Sequence, residues 1–332
     1  MTVIYAIIIF LLLIFIHELG HFIAAKACNV KVNEFSLGMG PAIFKKQGRE
    51  TLYALRAVPI GGYCAMEGEE EDSSDDRALN KKNGWQKLII FAAGALMNFV
   101  LAVVIMILIA LVSGDPTTTV DVVTEGMPAA EAGIVAGDEI VAIDGTAIDS
   151  WEEVTDAISK GNDDLVFTVS RSGKEIDITV PVQYNEEENR YMVGITSALA
   201  HDPARAVIYG VKSTGQMTVD MYHILGQLFT GEVSTKELSG PVGIMSAVSQ
   251  SSKMGFIYLA YLTALISLNL AVINLLPFPA LDGGRILFLI IRKITGQRVS
   301  DKVENGFHMA GMALLLLLMV YVTFNDVGRL LS

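Results

Sequence analysis

The run VIYAIIIFLLLIFIHELGHFIAA, residues 3–25, decides how the rest of this sequence is read. A helix crosses a bilayer with about 20 mostly apolar residues, and this run is long enough. Yet His17, Glu18 and His21 interrupt it. Ionisable side chains at membrane depth are costly and usually functional. At helical spacing His17 and His21 fall on one face, one turn apart, where both imidazoles can ligate a single Zn²⁺. Glu18, adjacent but not a ligand, is placed to take a proton from water on that metal. The alternative is that the span ends at Ile16 and the three residues are interfacial. Phe22-Ile-Ala-Ala25 continues the apolar run and weighs against it. The start of the segment carries no Lys or Arg and no small-residue cleavage site follows, so it reads as a retained span, not a signal peptide.

Three more stretches have spanning length: Leu88–Val112 with Asn98 inside it, Phe256–Leu276 with Asn269 and Asn274, and Phe307–Phe324 with His308. The composition agrees. The 332 residues are 52% hydrophobic and 18% charged, against about 25% charged in soluble domains. Disordered, collagen-like and disulfide-scaffold classes are excluded. A net charge of −12 without a Lys/Arg stripe also argues against a nucleic-acid partner. With Cys28 and Cys64 as the only cysteines, a disulfide framework has no basis, and both are expected unpaired.

Lys and Arg set the expected orientation. The 26–87 connection carries ten of them and the 285–302 connection five, whereas 115–255 carries eight against twenty-two acidic residues. The first two connections are therefore expected in the cytoplasm, and the acidic segment and both termini outside. Glu69-Glu-Glu-Asp-Ser-Ser-Asp-Asp76 reads as a solvated tract. Within 115–200 a compact β-rich domain is expected. Strands are predicted at Thr119–Val123 and Glu139–Ile143, with an Asp144-Gly145 turn. A capping box, Ser150-Trp-Glu-Glu153, opens a helix to about Ser159. Leu165–Arg171 and Glu175–Val182, joined by Ser172-Gly173-Lys174, form a hairpin. Val207, Val211, Met217, Met221, Leu225 and Leu228 give Pro203–Thr230 an amphipathic helical pattern.

A catalytic zinc needs a third protein ligand and an open position for water. Asp282, in Asn274-Leu-Leu-Pro-Phe-Pro-Ala-Leu-Asp282-Gly-Gly-Arg285, is the best candidate. Two prolines break the third span there, and irregular backbone at membrane depth needs protein or a water-filled cavity around it. By spacing alone, a cytoplasmic turn built on Asp-Gly-Gly is an equal reading.

Taken together, His17-Glu-Leu-Gly-His21 and Asn274-x-x-Pro-x-Pro-x-Leu-Asp-Gly283 resemble the site-2 protease family of intramembrane zinc metalloproteases, closest to its bacterial RseP type. The resemblance runs through most of the chain. Phe91-Ala-Ala-Gly-Ala-Leu-Met-Asn98 is similar to the family's Gly-x-x-x-Asn stretch, and Arg56-Ala-Val-Pro-Ile-Gly-Gly-Tyr63 to its membrane-associated β-hairpin. Gly126–Ile134 and Gly137–Gly145 look like a bacterial PDZ domain, and Ser239–Ile244 also has a counterpart. The enterobacterial RseP has two tandem PDZ domains, whereas this chain has room for one.

The resemblance implies a four-span α-helical transmembrane core with a membrane-associated β-hairpin and an inserted extracytoplasmic PDZ-like α+β domain. The expected segments are 1–114 (two spans and the cytoplasmic hairpin loop), 115–200 (PDZ-like), 201–255 (linker helix region) and 256–332 (two spans). Zn²⁺ would be held by His17, His21 and Asp282, with Glu18 as catalytic base. Asn274 would help hold substrate, and an Arg56–Met66 hairpin bearing Gly61, Gly62 and Tyr63 would offer it a strand edge. Asn98 has a substrate-contact reading and a favoured packing reading, while His308 is read as interfacial or interhelical. The implied setting is the bacterial inner membrane, with the active site toward the cytoplasm. Expected partners are the bilayer, single-span membrane substrates (anti-sigma factors already cut outside, remnant signal peptides) and a peptide ligand of the PDZ-like domain. A non-proteolytic PDZ-bearing adaptor is the alternative, and a metal or proton transporter fits less well.

Overall fold

The computed structural model describes residues 2–69, 72–161, 164–186, 189–232, 240–296 and 301–331. Glu70 and Glu71 of the acidic tract, Ser239 of the Ser239–Ile244 motif and Arg298 of the 285–302 connection lie outside them. In chain order the elements are α1 (Thr2–Ala27), β1 (Val32–Gln47), β2 (Leu52–Met66), a 3₁₀ turn, α2 (Gly84–Ser113), β3 (Asp115–Val123), α3 (Pro128–Ala132), β4 (Glu139–Ile143), β5 (Thr146–Ala147) and α4 (Trp151–Lys160). There follow β6 (Leu165–Arg171), β7 (Lys174–Val180), β8 (Gln183–Asn185), β9 (Arg190–Met192), β10 (Ile195–Ala200), α5 (Pro203–Thr230), α6 (Pro241–Met254), α7 (Phe256–Asn274), α8 (Asp282–Thr295) and α9 (Asp301–Leu331). The chain divides into two units, Met1–Met106 with Gly210–Ser332, and Ile107–Tyr209.

The first unit is built on apolar helices. α1, α2, α7 and the Gly306–Asp326 part of α9 are each long and apolar enough to cross a membrane. Each predicted span lies in one helix, with shifted ends. α2 starts four residues early because Asn83 and Gln86 cap it reciprocally: the Gln86 N–H donates to Asn83 Oδ1 at 2.9 Å and the Asn83 N–H to Gln86 Oε1 at 3.2 Å. α7 stops at Asn274, short of Leu276, since Pro277 turns the residue before it away from helical geometry. Ala6, Ile9 and Leu13 on one side of α1 pack with Val248 of α6 against leucines and isoleucines of α7. On another side Gly20 meets the Ala93 backbone so closely that a Cβ would overlap it. The Ser267 hydroxyl of α7 donates to the Asn98 carbonyl of α2 at 2.8 Å.

The β-structure corrects one expectation. Arg56–Met66 is not itself a hairpin; it is part of one long strand, β2, whose partner is β1. Glu34–Leu37 pairs with Gly62–Ala65 on one side and with Leu52–Leu55 on the other, and Leu52–Leu55 pairs in turn with Phe44–Gln47. Two strands thus fold back into four ribbons, the two outer pairings antiparallel and the central one, Glu34–Leu37 beside Leu52–Leu55, running in the same direction. Left-handed glycines (Gly38 φ 81°, Gly61 φ 75°) permit the bends, and β2 turns back between Leu55 and Gly62 without Arg56–Met66 pairing with itself. Among the described residues, no strand pairs with the outer edge of Gly62–Met66. Both cysteines are free thiols.

In the second unit the sheet runs β10-β3-β4-β6-β7 with β5 beside β4, all antiparallel. Phe167, Ile140, Val154 and Val180 are fully buried at its core. β3 begins four residues before the predicted strand, and β4 matches. Ser172-Gly173 reverses β6 into β7 with both residues at positive φ. Ser150 caps α4 by accepting the Glu153 N–H, but Glu153 reaches past it to the Asp149 N–H at 2.7 Å.

Asp138 is fully buried at the start of β4, taking Nε and Nη2 of Arg171 at 2.7 Å each and the Val135 N–H at 2.9 Å. The Arg171 hydrogen bonds hold its carboxyl below the usual carboxylate range, with burial working against them. Its stabilisation is therefore complete above the unfolded value of about 3.9 and is lost as pH falls through the lower folded value. Asp138→Ala removes three hydrogen bonds, two of them charged. A loss of about 2–4 kcal/mol is expected, measured as faster amide exchange in β4 and β6 at fixed pH with α1 unaffected.

Candidate metal centre

His17 and His21 leave α1 one turn apart, and Asp282 is the first residue of α8. The two Nε2 atoms are 3.3 Å from each other, and each is 3.4 Å from Asp282 Oδ2. Zn–N and Zn–O bonds of about 2.0–2.1 Å imply a tetrahedron edge of about 3.3 Å. The three donors therefore mark one face of a zinc-sized tetrahedron, with the fourth corner left for water. Asp282 Oδ2 is also buried with no hydrogen bond, an acceptor that a cation would satisfy. Among the described residues this is the one cluster of three metal-ligating side chains.

The surroundings aim the imidazoles. His21 Nδ1 lies 2.8 Å from the Ile90 carbonyl of α2 and donates to it, which leaves Nε2 unprotonated and able to hold a metal. His17 Nδ1 faces the Asn98 side-chain amide nitrogen at 3.5 Å, while Asn98 Oδ1 is buried without a partner. The Asn98 carboxamide, turned with Oδ1 toward the ring, accepts from His17 Nδ1–H. That orientation leaves His17 Nε2 unprotonated in the same way. One turn earlier, Gly94 faces both rings: a Cβ there would overlap His21 Nε2 and stand 2.7 Å from His17 Cε1. The Gly94-x-x-x-Asn98 pattern thus clears the space and aims a ring. Its glycine is a site residue that sequence reasoning left without a role.

Other expected residues fall nearby or apart. Gly62, in the outer ribbon of β2, packs on Glu18; a Cβ on it would lie 3.2 Å from Glu18 Cγ and 2.8 Å from Ile14 Cγ2. Gly61 sits at the bend beside Met39. The Tyr63 hydroxyl accepts Arg56 Nη2 at 2.6 Å, and the same guanidinium nitrogen binds Glu34 at 2.6 Å, so this ring belongs to the scaffold of the sheet. Asn274, half-buried, ends α7 before the proline-bearing loop. Arg285, one turn into α8, pairs with Glu69 after β2 and lies over the Phe91 ring of α2 at 5.7 Å.

Peptidase family M50 matches residues 5–318 of the chain. A relative from Clostridium acetobutylicum named as a zinc metalloprotease is 39% identical over 98% of this chain and 97% of its own length. The regulator of sigma-W protease RasP of Bacillus subtilis is 31% identical, with 99% of each chain covered. Among solved structures, the PDZ domain of an SdrC-like protein from Listeria innocua covers 26% of this chain and 97% of its own at 25% identity, with a TM-score of 0.23. The chain belongs to peptidase family M50, the site-2 proteases, and is a multi-pass membrane zinc metalloendopeptidase.

Proposed function

We propose that His17, His21 and Asp282 hold the zinc of this intramembrane protease and that Glu18 is its general base. The observation that carries the reading is the triangle of donors at tetrahedral edge length, with an unsatisfied carboxylate oxygen at one corner. Bound zinc supplies Lewis acidity, activating water and polarising the scissile carbonyl. Glu18 takes the proton of the attacking water and returns it to the leaving amine. The Ile90 carbonyl and Asn98 keep the imidazoles in the ligating tautomer, and the apolar helices exclude competing bulk water. A non-cleaving adaptor would need neither the donors nor Glu18.

Substrate binds as an added strand along the outer edge of Gly62–Met66, using main-chain groups of Gly61, Gly62 and Tyr63. The contact of Gly62 with Glu18 supports this, because it runs that edge past the base. Asn274 offers an amide to the backbone of a helix opened for cleavage. The substrates are single-span membrane proteins, namely anti-sigma factors already cut outside and remnant signal peptides; the name of the Bacillus relative supports the first class. Residues 115–200 act as a PDZ-like domain that receives a peptide. That domain and both termini lie outside, with the active site toward the cytoplasm, a reading supported by the surplus of acidic residues over 115–255.

A tagged single-span substrate, trimmed outside and reconstituted with the purified protein, tests the mechanism. Glu18→Gln is expected to lower cleavage about 10²–10⁴-fold while zinc stays bound, and a zinc chelator to abolish it. Product persisting with Glu18→Gln would overturn the assignment of the base. Gly94→Ala is expected to push the imidazoles aside and drop the zinc content well below one per chain. Gly84→Ala, whose Cβ would meet open space, should leave the content unchanged.

A further inference from the structure

The third donor reaches the centre by an awkward route. Between α7 and α8 the chain passes Pro277 and Pro279, then places Ala280 at φ +70°, a left-handed conformation that residues other than glycine rarely adopt. Two residues later it delivers Asp282. The Ala280 N–H does not point back into the loop; it donates to Nδ1 of His308 on α9 at 2.9 Å. The same ring lies against Gly284, where a Cβ would stand 3.3 Å from His308 Cε1. One turn further along α9, Gly311 meets Pro279 so closely that a Cβ would overlap it. Phe288 and Phe307 flank the imidazole, with centroids 5.9 Å and 6.2 Å away.

α9 therefore grips the loop on both sides of its strained residue. His308 holds it by one directed hydrogen bond, since its Nε2 is buried without a partner among the described residues.

We propose that His308 is a positioning residue for the zinc site. By accepting the Ala280 N–H it fixes the left-handed turn, and through it holds Asp282 Oδ2 at 3.4 Å from both imidazoles. The proposal rests on the reading of Asp282 as a ligand. It requires a neutral ring with its hydrogen on Nε2, because a protonated Nδ1 cannot accept. Groups that fix a ligand's orientation commonly change metal affinity 10–100-fold when removed.

Replacement by isosteres tests it. The Oδ1 of an asparagine occupies the place of a histidine Nδ1, three bonds from Cα, whereas phenylalanine keeps a ring and loses the acceptor. Zinc dissociation constants would be measured on the purified full chain by competition with a chelating dye. His308→Phe is expected to weaken zinc about 10–100-fold, His308→Asn to return it to within a few-fold of the parent, and Asp282→Asn to weaken it at least as much as His308→Phe. If Asp282→Asn weakens zinc and His308→Phe does not, the positioning role is overturned. Equal losses in His308→Phe and His308→Asn would overturn it too, leaving the ring as packing. Parent-like affinity in Asp282→Asn would overturn the ligand reading beneath it.

Discussion

Two imidazoles and a carboxylate must converge among apolar helices, although 261 positions separate His21 from Asp282 in the sequence. Each of these groups is expensive to bury alone, and unlike a surface cluster they cannot relax into water. The requirement that they share one small volume propagates outward. α2 approaches α1 at Gly20 and Gly94, where a Cβ would overlap the Ala93 carbonyl and the His21 ring. Once there, α2 contributes the Ile90 carbonyl and Asn98 that aim the rings, and its own backbone is tied to α7 through Ser267.

The same requirement explains the break after α7. A continuous helix would carry Asp282 away from the imidazoles, so the chain must turn at membrane depth and still satisfy its N–H and C=O groups. It does so with local bonds from Leu281 to Phe278 and from Gly284 to Leu281, and with one borrowed acceptor, His308. Gly283 belongs to this solution: a Cβ there would overlap the Leu275 and Leu276 carbonyls as the chain doubles back. The Asp282-Gly-Gly sequence thus combines a donor with two residues small enough to let the turn close over it.

What the sequence made legible was whatever a local pattern could carry. Apolar length marks the spans, Ser172-Gly173 marks the β6–β7 reversal, and the i, i+4 histidines mark a metal face. Asp282 stayed balanced between a ligand and an Asp-Gly-Gly turn on spacing alone, and only the resemblance favoured the ligand. The hairpin was misplaced because Gly61-Gly62 looks like a turn that pairs its own flanks, while the true partner of Gly62 is Leu37, set by a ladder formed 25 residues back. Gly94 and His308 stayed without roles for a related reason. A glycine in a helix, or a lone histidine in a span, takes its meaning from the neighbour it faces, and that neighbour is fixed by helix packing.

The outer ribbon of β2 is held from behind by a single side chain. Arg56 bonds Ser36, Glu34, the Gly40 carbonyl and the Tyr63 hydroxyl, and its guanidinium lies over the Tyr63 ring at 5.4 Å. One arginine therefore ties the inner ribbon to the outer one, and the free edge of Gly62–Met66 is preorganised. An edge with unpaired N–H and C=O groups is a liability in any β-structure, and proteins usually blunt it. Here a glycine lies on it instead, against Glu18. In the proposed mode that exposure has a use. A transmembrane helix cannot be cut while its scissile bond is shielded by the helical hydrogen bonds, and unwinding it in an apolar setting strands several polar groups. A rigid ladder beside the base supplies their replacement partners and lays the extended segment along the catalytic residue in the same step.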